Sequence, residues 1–383
     1  MLVVDTSFYE GEGYVAVYID LFLEGALIKK IYYEFYGGVL PKKNPVNDFA
    51  LIAIMPYAME KGYNLHIKGA VHFDLLRNME ESQDAWLRWH PDLFKKISIS
   101  ADNELPSTLT EKRKAVLAFS GGLDATYALH AHVNNLLGRR SCNIVVGVFI
   151  QGFDVDLDNS VAFDDALVKN LNILDSYGVS QAYVKTNWRE LGVSWEEAHM
   201  FGIVSVISQF STNVDCGVIA SDVAYDEEDL GWGSNAVTNA LFSSPSFPLT
   251  FTGGAHSRTR KAKIVSNNPV VLQNLRVCYQ GKVGNCGTCE KCVRTKLNFL
   301  AVGVPHVPSI GEPITLRQIK KLHIETNKEI ERYNRIIKEG YWDGLIKEKY
   351  VLKRLVSYGV FKYRLFNLIN KWKRSVKKRI AYF

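Results

Sequence analysis

Residues 120–124 read Ser-Gly-Gly-Leu-Asp, between an apolar run at 115–119 and a helix-like stretch at 126–137. An order of strand, glycine turn and helix suits an anion. Paired glycines allow a tight turn that brings N–H groups close together, and the positive end of the following helix adds its field. Ser120 offers a hydroxyl, and Asp124 a carboxylate able to hold Mg²⁺. The same residue types favour any turn, so the pentapeptide alone leaves an ordinary strand-to-helix connection open.

Further along, Cys278, Cys286, Cys289 and Cys292 form C-x7-C-x2-C-x2-C, with Gly287 easing the turn between ligands. Four thiolates at such spacing are what tetrahedral zinc selects. Iron–sulfur ligation is the competing metal reading. Disulfides are the competing covalent one, but two intervening residues rarely suit a structural bridge, and the first residues carry no signal-peptide pattern. Cys142 and Cys216 lie in or beside apolar strand-like runs and read as buried, inert thiols. Cysteine usage therefore points to a reducing cytoplasm.

Asp222 follows a strand-like 216–220, and Lys261, Ile264 and Val265 stand in "RKAKIV" ahead of the cysteines. Together with Ser120, Gly121, Gly122, Asp124 and the four cysteines, these residues resemble the N-type ATP pyrophosphatases of the PP-loop superfamily. The likeness is closest to the 7-cyano-7-deazaguanine synthase-like branch and covers about residues 112–300. Ala125 departs from that pattern, standing where the family has Ser, with Thr126 next to it. The resemblance implies a Rossmann-like (HUP) parallel sheet with helices on both faces and a zinc knuckle. It implies ATP held by Ser120, Gly121, Gly122, Leu123, Asp124 and Thr126, with Gln151, Gly152, Phe153 and Asp154 near adenine or ribose. Catalytic roles fall on Ser120, Asp124, Asp222 and Lys261, and Zn²⁺ on the four cysteines. Arg258, Arg260, Lys261 and Lys263 are cations able to neutralise a leaving pyrophosphate, or else a solvated basic turn.

The implied chemistry is adenylation of a carboxylate by ATP and Mg²⁺, with pyrophosphate and then AMP released as a nitrogen nucleophile attacks. The acid would be 7-carboxy-7-deazaguanine, and the acceptor ammonia or, as in relatives from anti-phage defence operons, an amine on a protein. Two alternatives stay open: a PP-loop enzyme that thiolates or amidates another substrate such as tRNA, and a non-catalytic nucleotide-binding subunit. Loop substitutions such as Asp124→Ala are expected to leave folding intact.

Three regions must position these groups. Residues 1–105 read as an α+β unit, with strands at 14–22, 27–36, 64–68 and 96–100 and helices at 49–61 and 73–89. Residues 101–114 read as a polar, Pro-bearing linker. From 112 to 305, strands at 115–119, 143–150, 180–185, 214–220 and 249–252 alternate with helical stretches, which argues for a parallel sheet covered on both faces. Residues 306–383 read as helical and basic.

The chain has 383 residues, 47% hydrophobic and 22% charged, which excludes fibrous and disordered classes. No apolar run is long enough to span a bilayer. From Lys347 onward there are twelve Lys and Arg against the single acid Glu348, leaving 34 bases and 39 acids elsewhere. The net charge of +6 therefore resides in this tail, which reads as a site for a protein or nucleic-acid acceptor, an anionic membrane surface, or a helix docked on its own protein. A homo-oligomer is left open.

Overall fold

The computed structural model describes residues 1–108, 114–278 and 283–380, with side chains through residue 368. Its centre is a ten-stranded sheet in the order β10-β9-β6-β7-β8-β3-β2-β1-β4-β5. The first five strands are β1 (Leu2–Gly11), β2 (Tyr14–Leu23), β3 (Ala26–Gly37), β4 (Leu65–His72) and β5 (Ile99–Leu105). The other five are β6 (Lys114–Ala118), β7 (Asn143–Gln151), β8 (Ser180–Thr186), β9 (Cys216–Ala220) and β10 (Leu249–Thr252). Six of the nine neighbouring pairs run parallel, so the sheet is mostly parallel. The fold is α/β, as expected.

Strands β6 to β10 alone have the order 3-2-1-4-5, which reverses at β6. Sheets wound this way open a crevice beyond the carboxyl ends of their strands at the reversal. Side-chain alternation explains why β6 is buried on both sides. Val116 enters one core with Val146, Val148 and Ile219, while Ala115 and Leu117 enter a second core with Ile144 and Val218.

Helices cover both faces. Over the first core lie α1 (Asp48–Lys61), α2 (Phe73–Trp89) and, further along the chain, a helix at Trp195–Ile207. Over the second lie α3 (Leu123–Val133) and α4 (Ser160–Ser176); the Trp195–Ile207 helix is α5. A short α6 (Ala236–Asn239) precedes α7 (Arg258–Val265), α8 (Pro269–Asn274) and α9 (Glu290–Leu300). The last three, α10 (Leu316–Lys320), α11 (Asn327–Glu339) and α12 (Ile346–Ile380), pack with α9 around Leu297, Tyr333, Ile336 and Leu352.

Two elements differ from the sequence reading. Strand β1 is absent from it, although its partner β2 is present, because the residues 5–11 are too polar to show a clean alternation. Residues 101–105 belong to β5 rather than to a linker, since that edge strand pairs in parallel with β4 and needs only one apolar face. Residues 109–113 of the expected linker lie outside the described residues. The N-terminal strands also share the sheet with the rest of the chain, through antiparallel pairing of β3 with β8 from Tyr33↔Thr186 to Gly37↔Ala182.

Candidate functional site

Beyond the carboxyl ends of β6, β7 and β9 lies a cleft of about 260 Å³. Ser120, Gly122, Leu123, Asp124 and Ala125 form its floor, and Phe149, Phe153 and Trp195 supply apolar walls. Gly121 has φ +73, and a Cβ there would sit 2.0 Å from Asn170 Oδ1, so the turn accepts only glycine. Gly122 caps α3 in an extended conformation, leaving the first N–H groups of that helix without helical partners. Its own N–H reaches Ser120 Oγ at 3.4 Å.

Asp124, in the first turn of α3, is the electrostatic centre. Its Oδ1 accepts from Lys261 Nζ at 2.8 Å, and its Oδ2 from Arg258 Nε and Nη2 at 3.0 and 2.8 Å. Arg258 and Lys261 are three residues apart on α7, which places both on one helix face. Ser257 caps α7 by accepting from the Arg260 N–H, fixing where that face points. Lys261 is fully buried and also donates to the Ser221 carbonyl at 2.6 Å, tying the loop after β9 to the loop after β6. Burial pushes the Asp124 carboxyl up, but Arg258 and then Lys261 overcome this and hold it down at about 2.

Asp222 and Asp154 line the same cleft, as do Arg276 and Lys291. Burial pulls both Arg276 and Lys291 below their ordinary values. Cations in partly dry surroundings interact more strongly with an entering anion than they would in water. The Arg276 N–H donates to the Gly121 carbonyl at 2.8 Å, locking the glycine turn to the segment that leads into the cysteines. Neither Arg276 nor Lys291 was singled out from the sequence. The available signal was basic residues interleaved with the cysteines, Arg276 two before Cys278 and Lys291 between Cys289 and Cys292.

Three expected nucleotide contacts lie elsewhere. Thr126 is fully buried, and its Oγ1 has no hydrogen-bond partner among the described residues; Ala125 faces the cleft in its place. Gln151 is buried and donates to the Asp156 and Leu157 carbonyls, bracing its own loop. Gly152 has φ +97, and a Cβ there would fall 1.9 Å from the Thr186 carbonyl, so its glycine serves close packing of the backbone. Phe153 and Asp154, the other two residues expected from this segment, do line the cleft.

The four Sγ atoms of Cys278, Cys286, Cys289 and Cys292 all lie within 4.8 Å of one another and could hold a metal ion. Cys278 to Cys289 and Cys286 to Cys292 are each 3.9 Å apart. A tetrahedron of thiolates about 2.3 Å from zinc has sulfurs about 3.8 Å apart, so the set fits zinc. Burial pushes the Cys286 thiol up, yet N–H groups of Thr288 and Cys289 bring it down to about 6, favouring thiolate. All six cysteines are unbridged. Cys278 also lines the cleft, so the cluster adjoins the glycine loop.

No protein-family model, curated protein or solved structure matches this chain. Among the described residues no helix is long and apolar enough to cross a membrane.

Proposed function

We propose that the chain is an ATP-dependent ligase of the N-type ATP pyrophosphatase kind, adenylating a carboxylate of the 7-carboxy-7-deazaguanine class and passing it to ammonia or an amine. The observation that carries this reading is the convergence on one cleft of the Ser120–Gly122 turn, the N-terminus of α3, Asp124 and Arg258. In this reading the sheet of β6 to β10 is of the HUP type, and the four cysteines form a structural zinc knuckle whose filled shell leaves no open coordination position.

The glycine turn and the free N–H groups of α3 would take phosphate oxygens, and Phe149, Phe153 and Trp195 would hold flat heteroaromatic rings. Asp124 and Asp222 are the carboxylates for Mg²⁺, which when bound shields the triphosphate charges from one another. An entering triphosphate would compete with Asp124 for Arg258, and Arg258 and Arg276, both lining the cleft, would then neutralise the departing pyrophosphate. The substrate carboxylate attacks the α-phosphorus, the bond to the β-phosphate oxygen breaks, and the amine later displaces AMP.

Two observations favour a second reading, nucleotide binding without turnover: Ala125 leaves the cleft short of a hydroxyl, and both Asp124 oxygens are engaged. Pyrophosphate release from ATP and Mg²⁺, screened over candidate acids with 7-carboxy-7-deazaguanine first, tests the proposal. Release that depends on one acid is expected. ATP binding with no release for any acid would select the second reading.

A further inference from the structure

Helix α12 presents two different faces along its length. Its first half docks through Leu352 and Val356 on Ile319, Ile330 and Tyr333, and Gly359 approaches so closely that a Cβ would meet the Ile324 carbonyl at 2.4 Å. Past Tyr363 none of the residues through Leu368 is buried. Phe361, Phe366 and Leu368 are each more than 60% exposed, and Leu365 is 46% exposed. At roughly 100° per residue, Tyr358, Leu365 and Leu368 fall within about 60° of Phe361 around the axis. Leu352, Val356 and Gly359 fall on the far side, so the exposed stripe is not a continuation of the docked seam.

The sequence extends the stripe at the same three- and four-residue spacing through Ile369, Trp372 and Val376. Between these residues it places Lys371, Lys373, Arg374, Lys377 and Lys378. We propose that this half of α12 docks on an anionic lipid surface, lying in the interface with its Phe and Leu stripe among the acyl chains and its cations against the headgroups. An apolar stripe flanked by Lys and Arg, with Phe and Trp within it, is the composition that partitions into a membrane interface. Eight Lys and Arg within residues 361–380, with no acid among them, supply the charge complementarity. Nucleic acid would engage the cations but leave the stripe in water, which is why lipid is the occupant that accounts for both.

The test is co-sedimentation of the full chain with vesicles of phosphatidylcholine, with and without phosphatidylserine as minor lipid. Binding is expected only with phosphatidylserine, weakening steeply with salt because the Debye length is about 10 Å at 0.1 M. The variant Phe361→Ser/Leu365→Ser/Leu368→Ser should lose at least about tenfold in vesicle affinity, since each buried apolar side chain contributes strongly to partitioning. Its circular dichroism and melting temperature should be unchanged, these side chains being exposed. Arg364→Glu with Lys371→Glu should weaken binding and flatten its salt dependence. Three results would each overturn the proposal: equal binding to vesicles lacking phosphatidylserine, RNA binding that survives the triple Ser variant in a chain that ignores vesicles, or a concentration-dependent dimer that the triple variant abolishes.

Discussion

Asp124 accepts from Lys261 and Arg258 through both of its oxygens, so removing it does more than subtract a metal ligand. It strands one fully buried ammonium and a guanidinium beside it. Breaking a buried ion pair by deleting one partner costs about 3–5 kcal/mol. Asp124→Ala is therefore expected to lower the melting temperature clearly, contrary to what a surface glycine loop suggests, and to reduce pyrophosphate release by about 10² to 10³ or more. A well-folded Asp124→Ala protein with full activity would remove the loop from the site. The pH dependence follows from the same carboxyl, held at about 2 against an ordinary 3.8. Because its folded value is the lower one, its contribution, on the order of 2 kcal/mol, is complete above about pH 4 and is lost as pH falls toward about 2. Acid titration of wild type and Asp124→Asn should show a steeper loss in wild type across that window. Ser120, Asp124 and Asp222 were legible as cleft residues because Ser120 and Asp222 follow strand ends that must reach the crevice, and Asp124 opens the helix after the glycine turn. Thr126 was not, since two residues along a helix rotate a side chain by about 200°, away from the face Asp124 presents. Gln151 was not, since its amide satisfies its own loop.

In the cysteine region, which borders the second core, a few hydrogen bonds fix the elements. Cys289 caps α9 by accepting from the Cys292 N–H, and Cys286 Sγ accepts from the Cys289 N–H at 3.2 Å. Asn285 accepts from the Val277 and Cys278 N–H groups and donates to the Leu275 and Ser309 carbonyls. A bound zinc would close this short segment, and binding energy at a structural zinc is folding energy. Cys289→Ser, or a strong chelator on wild type, should lower zinc content and melting temperature together. Since Cys278 and Arg276 border the cleft, nucleotide affinity should fall in parallel; it is measured by fluorescence titration. Purified protein without zinc, or with iron–sulfur absorbance, would end that assignment. The spacing of the cysteines was sufficient to find this element. The glycine turn was legible too, but its tie to the cysteine region was not, because that tie is the Arg276 N–H on the Gly121 carbonyl, a long-range backbone contact that no sequence pattern encodes.

At the scale of the molecule, the alternation of strands and helices after residue 112 gave the parallel half of the sheet, but not the way the earlier half joins it. Antiparallel edges pair through backbone groups that any sequence supplies, so the β3 to β8 seam left no signature beyond two apolar strands. The joint is more than that ladder. Helices α1 and α5 pack on each other, the Trp188 Nε1–H donates to the Ala53 carbonyl at 2.9 Å, and the Tyr33 and Ser205 hydroxyls are 3.1 Å apart in the shared core. Trp188, Phe201 and Phe210 are essentially unexposed and belong to the core that the N-terminal helices complete. Uncovering such side chains costs about 1.5–3 kcal/mol each, against a typical total stability of about 5–15 kcal/mol. Exposure of three or four of them is enough to unfold the remainder. Residues 114–383 expressed alone should therefore be insoluble or lack a cooperative melting transition, even though they hold the whole cleft and all four clustered cysteines. Residues 1–108 supplied on a separate chain should restore solubility by re-forming the β3 to β8 pairing. A fragment of 114–383 that melts cooperatively at the temperature of the full chain would show instead that the cleft stands on its own half of the sheet.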